Sequence, residues 1–156
     1  MERPLNSPFT VRRAEPRDLA GIAAIESASL PWATHWTGDS YLEAPGAEKW
    51  AWVAESGSGI AGFVLARGAA DEMEILNLAV APAARRHGVG RALIHAALEE
   101  GAARGAICVF LEVRASNADA MAFYARLGFA VSGRRLKYYR EPEENAVLMA
   151  RTLPAK

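Results

Sequence analysis

The hydrophobic period of the chain changes from about two to about 3.6 and back several times. Phe9-Thr10-Val11-Arg12-Arg13 alternates and reads as a first strand. Glu15-Pro16 then opens a helix, since proline is tolerated in a first turn, and Leu19, Ile22, Ala23 and Ile25 form its apolar stripe. Pro31-Trp32 breaks that pattern, and a short helix is expected from Trp36 to Glu43. Trp50 to Glu55 and Ile60 to Arg67 are strands joined by Ser56-Gly57-Ser58-Gly59, whose residue types suit a hairpin turn. Met73 to Val80 is a further strand.

The second half alternates helix and strand. Gly90 to Arg104 carries Leu93, Ile94, Ala97 and Leu98 at helical spacing, with Gly105 as its stop. Ile107 to Val113 is rich in β-formers, and Asn117 to Leu127 is a helix with polar caps at its start and Gly128 at its end. Phe129 to Tyr138 and Asn145 to Thr152 close the chain as strands. This order predicts an α/β (α+β) domain, a mixed sheet with helices on both faces. With no repeat or linker in sight, a single domain over residues 9–156 is expected, preceded by a proline-rich tail, Met1 to Pro8.

Composition narrows the function classes. The 156 residues are 51% apolar, enough for a substantial core without staples. Eighteen basic residues balance eighteen acidic ones, so there is no global field of the kind that marks a general nucleic-acid binder. Cys108 is the only cysteine, so no internal disulfide forms, and a reducing, cytoplasmic setting is expected. His35, His87 and His95 are scattered, which argues against a metal site. No apolar run approaches the roughly 20 residues that span a bilayer, so no membrane association is expected.

Three stretches can carry chemistry. Arg85-Arg86-His87-Gly88-Val89-Gly90-Arg91 lies between the strand ending Leu78-Ala79-Val80 and a strongly periodic helix. Glycines there let backbone approach a ligand, and a helix start offers unpaired N–H groups and the positive dipole end, so the segment suits a pyrophosphate. A plain turn before a helix would look the same. Leu93 replaces the third glycine of a dinucleotide loop and no Gly-Lys-Ser/Thr is present, so neither common nucleotide motif fits. In Leu111-Glu112-Val113-Arg114, strand alternation sets Glu112 beside Phe110 and Cys108, where desolvation would raise a carboxylate toward general-base range. An ion pair with a nearby arginine is the competing reading. Tyr124 lies on a stripe with Ala120, Phe123 and Leu127, as a core aromatic or as an acid at the rim.

Together these residues resemble the GNAT superfamily of acyltransferases. Its signature, Arg/Gln-x-x-Gly-x-Gly/Ala between a strand and a helix, is matched by Arg85 to Gly90. Within it, Leu111-Glu112-Val113-Arg114-Ala115-Ser116-Asn117-Ala118 and Phe123-Tyr124-Ala125-Arg126-Leu127-Gly128-Phe129 look like the RimI-type ribosomal-protein-alanine acetyltransferases. Asn77 to Val80, Arg134 to Tyr139, Leu148-Met149 and Pro31-Trp32 extend the match. The resemblance implies a GNAT fold with a mostly antiparallel sheet, acetyl-CoA as cosubstrate, no metal, and a ribosomal protein with an N-terminal alanine as acceptor. It also implies site roles. Leu78, Ala79 and Val80 hold the acetyl-pantetheine arm on a strand that splays from its neighbour. Arg86, His87, Gly88, Val89, Gly90 and Arg91 wrap the pyrophosphate, and Asn117 touches the cofactor further along. Glu112 matches the general base and Tyr124 the general acid.

Direct transfer in a ternary complex follows, because Cys108 is the only candidate thiol nucleophile and its strand position offers no base. An α-amine near pKa 7.8 costs about 1 kcal/mol to neutralise at pH 7, a lysine near 10.4 roughly 4.6. One carboxylate suits the easier acceptor. Glu141, Glu143 and Glu144 are expected to steer a basic protein tail toward the site. The alternatives are a GNAT enzyme for lysine or small amines, and a non-catalytic acetyl-CoA-binding module.

Overall fold

The computed structural model describes residues 9–29, 48–140 and 143–153. The expected tail, Pro31-Trp32, the Trp36–Glu43 helix and Glu141 lie outside the described residues. Among the described residues seven strands form one sheet in the order β1-β2-β3-β4-β5-β7-β6. They are β1 Thr10–Arg13, β2 Glu48–Ser56, β3 Gly59–Ala69, β4 Glu72–Val80, β5 Cys108–Arg114, β6 Ala130–Arg140 and β7 Glu143–Thr152. The helices are α1 Leu19–Ser29, α2 Val89–Ala103 and α3 Ala118–Arg126. The expected elements are in place with ends shifted by one or two residues. Gly57 and Ser58 form the tight turn between β2 and β3.

All neighbouring strands are antiparallel except β4 and β5, so the sheet is mixed and mostly antiparallel. A parallel pair needs a long crossover, which α2 supplies. Helix α1 covers one face, where Ile22 and Ile25 pack with Val53, Phe63 and Leu65. On the other face Leu93, Ile94 and Ala97 of α2 pack with Val64, Val109 and Leu111. Coverage on both sides explains why Ala61 to Ala66 are buried without interruption. Each fully buried Leu or Ile contributes about 2 kcal/mol of transfer free energy.

Two buried carboxylates tie elements together. Glu100 on α2 accepts from Trp52 Nε1 at 2.8 Å and from Arg104 at 2.6 Å, and also pairs with Arg13. Glu26 on α1, 2% exposed, accepts from Asn77 Nδ2 of β4 at 2.7 Å. Both carboxyl groups are tolerated in the interior because they are hydrogen-bonded.

Candidate active site

The site begins with a defect in strand pairing. In the β3–β4 ladder Leu65 faces Asn77 but Ala66 faces Ile75, leaving Leu76 as an extra residue in β4. Such a bulge bends its strand. On the other side, β4 pairs with β5 only at Glu72–Cys108, Met73–Val109 and Glu74–Phe110. Past that point β4 runs on to Val80 and β5 to Arg114 without a mutual ladder, so the two strands part between Leu76–Leu78 and Leu111–Val113. Leu78, Ala79 and Val80 therefore lie on a strand that parts from its neighbour, as expected.

The start of α2 stands at the end of that strand. Arg85, Arg86, His87 and Gly88 are exposed. Arg86 at φ 68° and Gly88 at φ 80° are both left-handed; glycine adopts this freely, whereas arginine is strained by about 1–2 kcal/mol. The first intrahelical bond runs from the Ala92 N–H to the Gly88 carbonyl at 3.0 Å. The N–H groups of Val89, Gly90 and Arg91 thus precede the ladder, and no acidic residue sits in the first turn. Val89 is buried, anchoring the start of α2 to the core. The two glycines serve different ends. A Cβ on Gly88 would meet nothing within 4 Å, so its turn is open. A Cβ on Gly90 would stand 3.3 Å from Phe123 and 3.7 Å from Val80, so Gly90 lets α2, α3 and β4 converge. These features fit an anionic diphosphate.

Glu112 points to the face opposite the core. Val109, Leu111 and Val113 are the buried side of β5, while Cys108, Phe110, Glu112 and Arg114 are half-buried. Its setting is therefore less apolar than alternation alone implied. Its side chain is 13% exposed, with Oε1 3.9 Å from Arg135 Nη1. Oε2 is buried and accepts no hydrogen bond among the described residues. The arginine partner expected on the competing reading is thus present, but only at long range. Tyr138 and Tyr139 complete this face, their rings 5.1 Å apart. Partial burial, and then the charge of Glu112, pushes both phenols up, Tyr139 to about 12.

Tyr124 is 8% exposed, its ring edge-on to Phe123 at 5.1 Å and Phe129 at 5.5 Å. Burial pushes its phenol above the usual tyrosine range, so the hydroxyl stays protonated at neutral pH. Asn117 is the N-cap of α3, its Oδ1 accepting from Ala120 N at 3.1 Å.

Two expectations need correction. Cys108 does have a carboxylate neighbour, Glu72 Oε2 at 3.7 Å. Burial and that negative charge push the thiol up, so it is a poor nucleophile for a reason other than isolation. Glu144 is not free to steer a basic tail. It accepts from Ser116 N at 2.6 Å and from Arg114 at 3.2 Å, and the contacts with Ser116, then Arg114, hold its pKa below the usual range.

A cavity of about 370 Å³ lies at the other end of the sheet, lined by Trp50, Glu72, Gly101 and Arg104 among others. It faces the carbonyl end of α2, where the dipole repels anions. Among the described residues no helix is long and apolar enough to cross a membrane.

Residues 19–129 match the Acetyltransferase (GNAT) family. The chain is 33% identical over 140 residues to the ribosomal protein bS18-alanine N-acetyltransferase of Escherichia coli (strain K12), covering 83% of this chain and 95% of that protein. It is 37% identical over 102 residues to the N-alpha-acetyltransferase RimI of Mycobacterium tuberculosis, covering 63% of each. The crystal structure of the Escherichia coli ribosomal-protein-S18-alanine N-acetyltransferase superimposes with a TM-score of 0.80 at 30% identity, covering 95% of this chain and 96% of that one.

Proposed function

The chain belongs to the GNAT acetyltransferase family, and from that premise we propose that it transfers acetyl from acetyl-CoA to the N-terminal α-amine of a ribosomal protein, with alanine as first residue. The observation that carries this reading is the gap in strand pairing where β4 leaves β5. It has an unpaired helix start at one mouth, and on its β5 side a half-buried carboxylate beside two tyrosines. The relatives named above, which share most of the chain's length, support the acceptor.

Acetyl-CoA supplies an activated thioester. The N–H groups of Val89, Gly90 and Arg91, with the exposed guanidinium groups of Arg86 and Arg91 and the imidazole of His87, bind its diphosphate. The backbone of Leu78, Ala79 and Val80 lines the path of the acyl arm, and a strand N–H there polarises the carbonyl. Glu112 takes the proton of the acceptor amine, directly or through a water. Tyr124 holds the proton that the departing sulfur needs. Asn117 fixes the start of α3, and through it Phe123 and Tyr124.

Incubation of three acceptors with acetyl-CoA, read by mass spectrometry, tests the assignment. An alanine-initial peptide should be acetylated at its α-amine. The same peptide with a blocked N-terminus and a free lysine, and a small polyamine, should react far more slowly. Equal rates for the blocked peptide would overturn it.

A further inference from the structure

Strand β6 carries a large irregularity next to the acceptor side of the site. Arg135 pairs with Ala146 and Tyr139 with Glu144, so Leu136, Lys137 and Tyr138 face the single residue Asn145. The extra length is taken up by Lys137, which is left-handed at φ 51°. Its N–H donates to Asn145 Oδ1 at 2.9 Å, so the side chain replaces the ladder partner that the bulge removes. The Asn145 carbonyl accepts from Ala115 N at 3.0 Å, joining the bulge to the end of β5.

The bulge has a consequence for chemistry. In an unbroken strand Tyr138 and Tyr139 would point to opposite faces. Here their rings touch edge-on at 5.1 Å, and Arg135 lies 5.2 Å from the Tyr138 ring. Arg114 stacks on Tyr139 at 4.2 Å. Both tyrosines therefore stand on the face of Arg135 and Glu112, and Tyr138 remains 46% exposed. Leu136, at the crest of the bulge, is 77% exposed. An apolar crest beside two phenols and a carboxylate suits a short peptide end with a small apolar first side chain.

We infer that Asn145 is a positioning residue for the acceptor: its side chain fixes the bulge that brings Tyr138 alongside Tyr139 beside Glu112. This rests on the acceptor reading above. Asn145→Leu removes the acceptor atom at similar size, and Asn145→Asp keeps it. Asn145→Leu should raise KM for an alanine-initial peptide by about tenfold or more, as for a lost hydrogen bond that leaves its donor unpaired. KM for acetyl-CoA should stay within about twofold, and Asn145→Asp should return the peptide KM to within about threefold of wild type. An unchanged peptide KM in Asn145→Leu, an equal loss for both substrates, or failure of the Asp variant to rescue would each overturn the inference. Should the wild type acetylate only lysines or polyamines, the acceptor reading fails, and the KM comparison is made with that amine instead. Hydrogen exchange covers the case in which Asn145→Leu does not fold. The Lys137 amide of the wild type should be protected, and exchange at the rate of a free loop amide would overturn the assignment outright.

Discussion

Gly90 and Phe123 meet so closely that a Cβ on the glycine would stand 3.3 Å from the ring. The contact joins the first turn of α2 to α3, one residue from Tyr124. Gly90→Val should therefore cost about 1–3 kcal/mol of stability by overpacking. Thermal unfolding checks this, and a wild-type melting temperature would show that Phe123 yields freely.

Because Gly90→Val disturbs packing, a charge change is the cleaner probe of the phosphate site. Arg91 is exposed in the first turn of α2. Arg91→Glu places an anion where the dipole welcomes it, adding about 0.3–1 kcal/mol to stability. The same anion repels a diphosphate, so acetyl-CoA should bind at least tenfold more weakly, about 1.4 kcal/mol. Calorimetry giving unchanged affinity would remove this helix start from the site.

Glu112→Gln should lower kcat by about 10²–10⁴ with acetyl-CoA affinity retained. The deficit should shrink as pH rises past the α-amine pKa of about 7.8, because the neutral amine no longer needs a base. A deficit constant from pH 6 to 10 would return Glu112 to a structural pair with Arg135.

Much of this was legible in the chain. The helical stripes and the Ser56–Gly59 turn gave their elements directly, and the glycine segment gave the α2 start. Tertiary pairing was not legible. Leu76 reads as one more apolar strand residue, and only the β3 register makes it a bulge. The bulge that sets Tyr138 beside Tyr139 is hidden for the same reason, since alternation cannot show where three residues face one. Glu26 and Glu100 did leave a signal. Glu26 lies four residues after Ile22 and Glu100 seven after Leu93, so each continues a core stripe, where a carboxylate needs a buried partner.

Asp18 makes acid stability testable. It is 4% exposed and takes two hydrogen bonds from Arg12, each 2.8 Å. The Arg12 guanidinium, opposed by burial, holds its carboxyl below the usual range. The folded state therefore binds the proton later than the unfolded chain does as pH falls. The pair stabilises fully above about pH 4, the unfolded value, and its contribution disappears as pH drops through the lower folded value. Asp18→Ala should cost about 1.5–3 kcal/mol at pH 7, since it removes two charge-assisted hydrogen bonds while Arg12 keeps Glu55 and Glu15, and much less near pH 2. Urea unfolding at both pH values checks this; a difference independent of pH would mean that the Asp18 charge adds nothing.

Tyr124→Phe separates the two roles open to that residue. The ring contacts with Phe123 and Phe129 survive the change, so stability should move by no more than about 1.5 kcal/mol. What is lost is one proton. An ordinary tyrosine near 10 gives its proton to a thiolate near 8.5 uphill by about 2 kcal/mol. Burial raises the phenol further, which makes the transfer steeper still. The hydroxyl therefore assists at the low end of the general-acid range, and kcat should fall by about 10². Its protonated form persists through neutral pH, so Tyr124 adds no falling limb to the kcat profile below about pH 10. Replacing acetyl-CoA by an acetyl thioester with a more acidic thiol should narrow the gap between wild type and variant, because a better leaving group needs less help. Full kcat in Tyr124→Phe with acetyl-CoA itself would make the residue a core aromatic and leave the sulfur to be protonated by water.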